Sequence, residues 1–237
     1  MMEIIKKNSL RRIIYALCVI LLIIIILLLP LRIYIYNVKT YIKLYENNNV
    51  FSEIDREDAA KLTMAVIDLL RYGNNIHKFE LNSQSSFFTT DEIAHLYDVR
   101  ILIQKFLITL YVSTVLFAVF IILLIRKNVF FFIKQVSDIF LFSSCIVIFL
   151  ILLLYFLSSN FIFIFDRFHH IFFPQGNWAF PEGSLLIALL PLNFFYDFFI
   201  KMLITSLIIS FIFLSGSIIF NIIFRRKIKN DERLSEL

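Results

Sequence analysis

The chain has 237 residues, of which 60% are hydrophobic and only 17% are charged. Soluble domains are about 45–50% apolar, so this composition excludes an ordinary soluble core and indicates a protein embedded in lipid. The formal net charge of +5 does not indicate nucleic-acid binding, because the basic residues cluster at the ends of long apolar runs, where anionic lipid and membrane topology account for them.

Long uncharged intervals predict four transmembrane helices. A helix needs roughly 20 residues to cross a hydrocarbon layer of about 30 Å, and no other open-ended structure satisfies its own backbone in lipid. The third uncharged interval continues to residue 165 and is longer than a span needs, so we expect its end to emerge from the bilayer. The predicted spans are residues 13–31, 106–125, 139–160 and 201–224.

The distribution of lysine and arginine predicts the orientation of these spans. Basic residues are concentrated in residues 1–12, 126–138 and 225–237, which are therefore expected to be cytoplasmic. Residues 32–105 and 161–200 are expected outside, where they would form an extracytoplasmic cap. The predicted fold is a mainly α membrane protein with four transmembrane helices and both termini in the cytoplasm.

The first outer segment begins with a pattern typical of a folded, amphipathic helix. Residues 55–72 carry apolar side chains at helical spacing, with acids at the start and Gly73 at the end. Residues 74–86 are polar and favour a strand or a loop.

A second helix is predicted where this outer segment approaches the second span. The sequence TTDE at residues 89–92 has the spacing of a capping box, which opens a helix. On that helix Asp91, His95 and Asp98 lie at positions i, i+4 and i+7, so one face presents a histidine between two carboxylates.

The second outer segment is rich in proline and aromatic residues. The apolar run at residues 184–190 is too short to span a membrane and is predicted to be an interfacial or re-entrant piece. The aromatic side chains could line an apolar pocket, or they could form a belt that anchors the protein at headgroup depth. They include Phe172, Phe173, Trp178 and Phe180.

All four histidines lie in the predicted outer segments. His77 is expected to be a solvated surface residue, whereas His95 and His169 each fall close to the end of a predicted span and would converge at one depth, with His170 following directly. An imidazole beside a carboxylate is a candidate general base near pH 7. Zinc binding by two histidines and Asp98 is the alternative, although the chain has neither an HExxH motif nor paired cysteines.

No protein nucleophile is apparent in the sequence. It contains no serine in a G-x-S-x-G elbow and no glycine-rich phosphate loop. The residues alone therefore indicate acid–base chemistry at the outer surface of a membrane and leave the reaction open.

Two strings of residues resemble a known family. Residues 168–180 read FHHIFFPQGNWAF and are followed by SLLIALLP, while residues 91–100 read DEIAHLYDVR. Both resemble outer-loop motifs of the bacterial lipoprotein intramolecular transacylase (Lit) family, and four spans with both termini inside also fit. The family histidines match His95 and His169, and its tryptophan matches Trp178.

This resemblance implies a reaction at the outer face of the bacterial cytoplasmic membrane. The family moves the sn-2 acyl chain of a diacylated lipoprotein onto the α-amino group of its N-terminal cysteine, giving a lyso-form lipoprotein. Such a transfer needs no protein nucleophile, cofactor or metal. Histidine would move the protons, with Asp98 or Asp91 orienting His95, and the aromatic residues would form a water-poor pocket for the substrate.

Two other functions remain open from the sequence. One is a metal-dependent membrane hydrolase that uses the same histidines. The other is a non-enzymatic membrane protein with a role in assembly or tethering. Membrane lipids are expected neighbours in every case.

Overall fold

The computed structural model describes residues 2–73, 88–125, 128–181 and 183–235, and the side chains between residues 9 and 228 of these ranges. The described chain is helical and contains no strand in these ranges. Its eight α-helices are α1 (Met2–Tyr34), α2 (Val38–Asn47), α3 (Arg56–Tyr72), α4 (Thr90–Leu123), α5 (Val129–Leu157), α6 (Phe161–Phe172), α7 (Leu185–Leu189) and α8 (Leu192–Ser235).

The prediction of four apolar, membrane-length helices is confirmed. By length and composition the candidate spans lie within Ser9–Tyr34, Thr90–Leu123, Val129–Phe172 and Leu192–Ile228. Each of these helices is longer than the span predicted from the sequence. The polar residues that flank each apolar interval continue the backbone hydrogen bonding of the same helix. The protein is therefore a multi-pass membrane protein, while the cytoplasmic placement of its termini stays a prediction.

The chain divides into two compact units. The first comprises residues 1–29, 109–153 and 203–237, and its helices are joined by serine side chains. Ser143 Oγ donates to the carbonyl of Val19, and Ser206 Oγ donates to the carbonyl of Ile26. Small hydroxyl residues at such positions let membrane helices approach closely and bond across the contact.

The second unit comprises residues 30–108 and 154–202 and contains every described residue of the predicted site. Its apolar core includes Tyr45, Leu62 and Leu189, none of which is exposed. The buried Tyr45 hydroxyl bonds to Thr63 Oγ1 at 2.8 Å, so its polar end is satisfied inside this core.

Helix α3 confirms the pattern predicted for residues 55–72. The side chain of Asp55 accepts a hydrogen bond from the Glu57 N–H and caps the start. Gly73 ends the helix in the left-handed region, with φ of +76°. The positive backbone angle favours glycine here, and a Cβ at Gly73 would also lie 2.9 Å from the guanidinium carbon of Arg100, whose flexible side chain would have to move.

Several elements differ from or add to the sequence prediction. Helix α2 was not predicted; it buries Tyr41, Leu44 and Tyr45 on one face. The uncharged third interval is interrupted by a 3₁₀ turn, Ser158–Asn160, after which α6 begins with Asn160 as its cap. The run at residues 184–190 contains the five-residue helix α7. The strand or loop predicted for residues 74–86, together with His77, lies outside the described residues.

Candidate active site

The first three turns of α4 carry three functional side chains on one face. The predicted capping box forms: the Thr89 N–H donates to Glu92 Oε2 at 2.6 Å, and the Glu92 N–H donates to Thr89 Oγ1 at 3.2 Å. Because α4 begins there, Glu92, His95 and Asp98 follow one another at three-residue spacing along the same face of the helix.

The second histidine is held by the helix that carries it. His169 lies in the last turn of α6, and its Nδ1 is 2.7 Å from the carbonyl oxygen of Phe165. A carbonyl oxygen can only accept a hydrogen bond, so Nδ1 of His169 carries the proton. In the neutral ring the lone pair then belongs to Nε2, which makes Nε2 the basic atom.

The two histidines meet in the structure. The ring centroids of His95 and His169 lie 6.1 Å apart with an angle of 28° between the planes. Both side chains are buried, with 7% and 8% of their surface exposed. The sequence placed these residues in separate outer segments, and the fold brings their imidazoles together, as predicted.

Aromatic side chains enclose both imidazoles. Phe173 is 2% exposed and contacts both rings, at centroid distances of 4.9 Å to His95 and 5.6 Å to His169. Phe180 packs edge-on against His95 at 5.6 Å, and Trp178 packs against His169 at 4.8 Å. These three of the four predicted aromatic residues thus line the histidine pair.

The fourth predicted aromatic residue lies elsewhere. Phe172 is 41% exposed and packs against Phe106 and Phe168, not against either histidine. Consecutive residues of a helix point in different directions, so Phe172 and Phe173 cannot both face the histidines. Among the described ring contacts, Phe172 makes none with His95 or His169.

Burial keeps both imidazoles neutral. The two residues lie outside the predicted spans, near the start of α4 and in the last turn of α6. Burial, and then the neighbouring ring of His169, lowers the pKa of His95 below its usual value, against smaller opposing effects of Asp98 and Asn177. Burial also lowers the pKa of His169, although its bond to the Phe165 carbonyl opposes the change. At pH 7 both rings are therefore in the form that accepts a proton.

The carboxylate of Asp98 is directed at the segment after α6. Its Oδ2 accepts hydrogen bonds from Gln175 Nε2 at 2.9 Å and from Asn177 Nδ2 at 2.8 Å. Asp91, the other predicted supporting carboxylate, is exposed, and no hydrogen bond or ion pair links it to His95 among the side chains described. Of the two carboxylates, Asp98 is the one joined to the residues around the site.

Three buried polar atoms around the histidines have no hydrogen-bond partner among the described residues. They are His95 Nδ1, Asn177 Oδ1 and Trp178 Nε1. Most buried polar atoms in proteins are paired, so unpaired ones that cluster at a single place indicate a position where substrate groups or adjusted side chains complete the bonding. The cluster offers a donor at Trp178, an acceptor at Asn177 and a titratable nitrogen at His95.

The two adjacent histidines of α6 point in different directions. His170 is exposed, and its Nε2 lies 3.6 Å from Asp166 Oδ2, one turn earlier on the surface of the helix. Its ring contacts Trp178 edge-on at 5.4 Å. His169 is thus the member of the pair that faces His95.

A family comparison decides where the chain belongs. The family model described as "Lipoprotein intramolecular transacylase Lit" matches residues 16–195, which include both histidines and Trp178. The chain belongs to the Lit family. No individually curated protein sequence matches this Lit-family chain.

Solved structures support the fold of this Lit-family member. A structure of the membrane-integral lipoprotein intramolecular transacylase Lit from Bacillus cereus has a TM-score of 0.67 and 19% sequence identity, and the match covers 95% of this chain and 99% of that one. Two variants of the Bacillus cereus protein, with one histidine replaced by arginine or by alanine, have TM-scores of 0.68 at 19% identity and cover 98% of this chain. They cover 98% and 99% of their own chains. At this identity the likeness concerns the fold.

The described residues of this Lit-family chain do not assemble the ligand set that the zinc alternative requires. Within the described ranges, no three side chains of histidine, cysteine, aspartate or glutamate come together as metal ligands would. Asp98, which the alternative requires beside the two histidines, accepts its hydrogen bonds from two side-chain amides instead.

Sequence reasoning missed Glu92 as a member of this Lit-family site. The side chain is 1% exposed, and its Oε1 accepts hydrogen bonds from Ser184 Oγ at 2.5 Å and from the Leu186 N–H at 2.8 Å. Burial alone would raise the pKa of Glu92, but the hydrogen bonds from Ser184, Leu186 and Thr89 outweigh it and lower that pKa. Glu92 therefore binds the start of α7 to the helix that carries His95.

Proposed function

We propose that this Lit-family protein is an intramolecular transacylase that converts a diacylated lipoprotein to the lyso form. It moves the sn-2 acyl chain of the diacylglyceryl group to the α-amino group of the N-terminal cysteine, with His95 and His169 as acid–base catalysts. The observation that carries the proposal is the pair of buried imidazoles, 6.1 Å apart and enclosed by aromatic side chains, in a member of this family.

The number of protons that the reaction moves explains why the site needs two histidines. An α-amino group has a pKa of about 8, so at pH 7 most of it is ammonium. To become an amide it must lose two protons, and the glyceryl oxygen that leaves the ester must gain one. One neutral histidine takes the ammonium proton and then returns it to the leaving oxygen. The other takes the second proton as the nitrogen attacks the carbonyl, and releases it to solvent.

The structure supports a specific assignment for His169 in this scheme. Its Nδ1–H is occupied by the Phe165 carbonyl, so Nε2 is available as a base at the start of the reaction. Because burial lowers the pKa of the ring, the ring is neutral at pH 7. His169 is therefore proposed to take the second proton, as the nitrogen attacks the carbonyl. His95 is proposed to take the first proton, from the ammonium group, and to return it to the leaving oxygen.

Besides acid–base catalysis, two effects should accelerate the reaction: the proximity of the reacting groups and the exclusion of water. Ester and amine belong to one molecule, so holding both ends converts a flexible encounter into an oriented one, a change that can contribute several kcal/mol, up to about 7–11 kcal/mol in ideal cases. Phe173, Phe180 and Trp178 enclose the histidines with apolar surface, which disfavours water as a competing nucleophile. The unpaired Nε1–H of Trp178 is a donor for the developing carbonyl oxyanion.

The proposed location is the outer face of a bacterial cytoplasmic membrane. Diacylated lipoproteins carry their lipid at that surface, and membrane lipids surround the spans. The excess of lysine and arginine in residues 1–12, 126–138 and 225–237 supports cytoplasmic placement of those segments, which leaves the histidine-bearing residues 32–105 and 161–200 outside.

Mass spectrometry of a diacylated lipoprotein incubated with the purified protein tests the function. The expected product is an N-acyl cysteine that bears a monoacyl glyceryl thioether. His95→Ala and His169→Ala should abolish this product while the protein remains in the membrane. His170→Ala is the matched control, since it removes an imidazole that lies one residue away but faces outward, and it should retain activity.

Two results would contradict the proposal. If the wild-type protein yields no N-acyl product from any diacylated substrate, the proposed reaction is wrong. If either His95→Ala or His169→Ala forms the product at close to the wild-type rate, the role given to that residue is wrong.

A further inference from the structure

Asn177 has a fixed orientation at the edge of the histidine pair. Its Nδ2 donates to Asp98 Oδ2 at 2.8 Å. A carboxylate only accepts hydrogen bonds, so the amide nitrogen must face Asp98, and the amide oxygen is turned away from it. Gln175 donates to the same carboxylate oxygen at 2.9 Å and helps to hold Asp98 in place.

The amide oxygen of Asn177 and one nitrogen of His95 lack partners in the same region. Asn177 Oδ1 and His95 Nδ1 are both buried, and neither has a hydrogen bond within the part of the chain that the structure describes. The atoms are complementary, because the oxygen is an acceptor and Nδ1 can carry a proton. His95 lies one turn before Asp98 on the same face of α4, and the Asn177 side chain is close enough to His95 to favour its protonated form.

We infer that Asn177 Oδ1 accepts a hydrogen bond from His95 Nδ1–H and that Asp98 holds Asn177 in the orientation this requires. This hydrogen bond would satisfy both buried atoms. Asp98 and Asn177 are thus positioning residues that act on His95 in series. The catalytic meaning of this arrangement rests on the proposed function, whereas the hydrogen bond itself can be tested without it.

The arrangement gives both histidines the same tautomer. His169 donates Nδ1–H to a backbone carbonyl, and His95 donates Nδ1–H to an amide oxygen. Each ring then keeps the lone pair of the neutral form on Nε2, where it can accept a substrate proton. With the other tautomer, the proton on Nε2 of His95 would block its part in the transfer.

A neutral amide also suits the chemistry better than a carboxylate in direct contact with His95. A carboxylate bonded to Nδ1 would strongly favour imidazolium, and a ring that is already protonated cannot take the ammonium proton of the substrate. The charged and titratable groups that influence the His95 pKa are His169, which lowers it, and Asp98, which raises it from behind the amide. Asn177 thus orients His95 with a smaller rise in its proton affinity than a carboxylate in its place would cause.

Nitrogen NMR on the full chain in lipid nanodiscs, with ¹⁵N-labelled histidine, tests the inference directly. At pH 7 the wild-type His95 should show a protonated Nδ1 and an unprotonated Nε2. Asn177→Leu keeps the approximate size but removes the acceptor, so the two tautomers of His95 should become mixed. Asn177→Asp keeps an acceptor and adds a charge, so Nδ1 should stay protonated while His95 titrates at higher pH.

The kinetic expectation follows from the loss of a correctly oriented acid–base group. Because such groups contribute about 10²–10⁴-fold to a rate, Asn177→Leu should lower kcat on the order of 10- to 100-fold as the productive tautomer becomes a minority. Gln175→Ala is the matched comparison: it removes the second amide donor to Asp98 but leaves the Asn177 amide bonded to that carboxylate, so its effect on the tautomer and on kcat should be much smaller than that of Asn177→Leu.

The possible results separate this inference from the proposed function. A wild-type His95 with its proton on Nε2, or an unchanged tautomer in Asn177→Leu, would overturn the inference even if the enzyme is active. An Nδ1-protonated His95 in a protein that forms no N-acyl product would instead overturn the proposed function. If Asn177→Leu does not fold, the wild-type spectrum and Asp98→Asn decide, since Asp98→Asn frees the amide to turn and should also mix the tautomers.

Discussion

Replacing Glu92 should destabilise the protein by more than the loss of a helix cap, because the side chain also bonds to Ser184 and Leu186. The carboxylate accepts three hydrogen bonds, from Ser184 Oγ and the Leu186 N–H at Oε1 and from the Thr89 N–H at Oε2. In Glu92→Gln, one oxygen becomes an NH₂ group that faces a donor, so at least one of these bonds is lost. Hydrogen bonds to charged groups contribute about 1.5–3 kcal/mol each, which gives an expected loss of roughly 2–3 kcal/mol.

This loss should be visible as a lower unfolding temperature. For a chain of this size each kcal/mol corresponds to about 2–4 °C, so Glu92→Gln should unfold about 4–12 °C below the wild type. The fluorescence of Trp178, the only tryptophan, reports unfolding of purified protein in detergent. Asp91→Asn is the control, because its carboxylate is exposed one residue earlier and contributes only about 0.3–1 kcal/mol through the helix dipole.

The pH dependence of this difference follows from the sign of the pKa shift. The pKa of Glu92 is lower in the folded protein, so its stabilising effect is complete above the ordinary carboxyl pKa of about 4.3 and is lost as the pH falls through the folded value. The difference between wild type and Glu92→Gln should be constant near pH 7 and shrink below about pH 4. Equal unfolding temperatures at pH 7, or a shift no larger than that of Asp91→Asn, would refute the role given to Glu92.

Three further predictions concern the histidine pair. Because burial lowers the pKa values of His95 and His169 and the neutral rings are the active form, kcat should rise with pH through apparent values below the usual 6.5. An apparent value between 6.5 and the substrate amine's value of about 8 would contradict this. Trp178→Phe keeps the ring against His169 but removes the unpaired Nε1–H, so kcat should fall about 5- to 30-fold with KM little changed; an unaltered kcat would exclude Trp178 as the oxyanion donor. Exhaustive chelation should leave the rate intact, whereas a loss restored by added zinc would favour the metal-dependent hydrolase.

The sequence was sufficient for features that depend on local patterns. Uncharged length gave the four apolar helices, and the TTDE spacing and Gly73 gave the start of α4 and the end of α3. The convergence of His95 and His169 followed from their positions near span ends, because segments that leave a membrane at the same surface lie at the same depth. These inferences needed no knowledge of tertiary contacts.

The remaining features depend on contacts that no local pattern reveals. The capping box accounts for Glu92 completely, so nothing in the sequence signals its second set of bonds to residues more than 90 positions away. Asn177 is likewise an ordinary loop residue until Asp98 is seen to fix its amide. Helix α2 was missed because its mixture of tyrosine, lysine and asparagine resembles a loop, and only packing of Tyr41, Leu44 and Tyr45 shows that it folds.

The two imidazoles differ in whether a mutation can remove the hydrogen-bond partner of Nδ1. The partner of His169 Nδ1 is a main-chain oxygen, which every amino acid at position 165 provides, so point changes there preserve the ring's protonation pattern as long as α6 remains helical. The proposed partner of His95 Nδ1 is, by contrast, the side chain of Asn177, which a point mutation can remove. Natural or engineered variation in which ring nitrogen carries the proton should therefore arise at His95, while His169 keeps its proton on Nδ1.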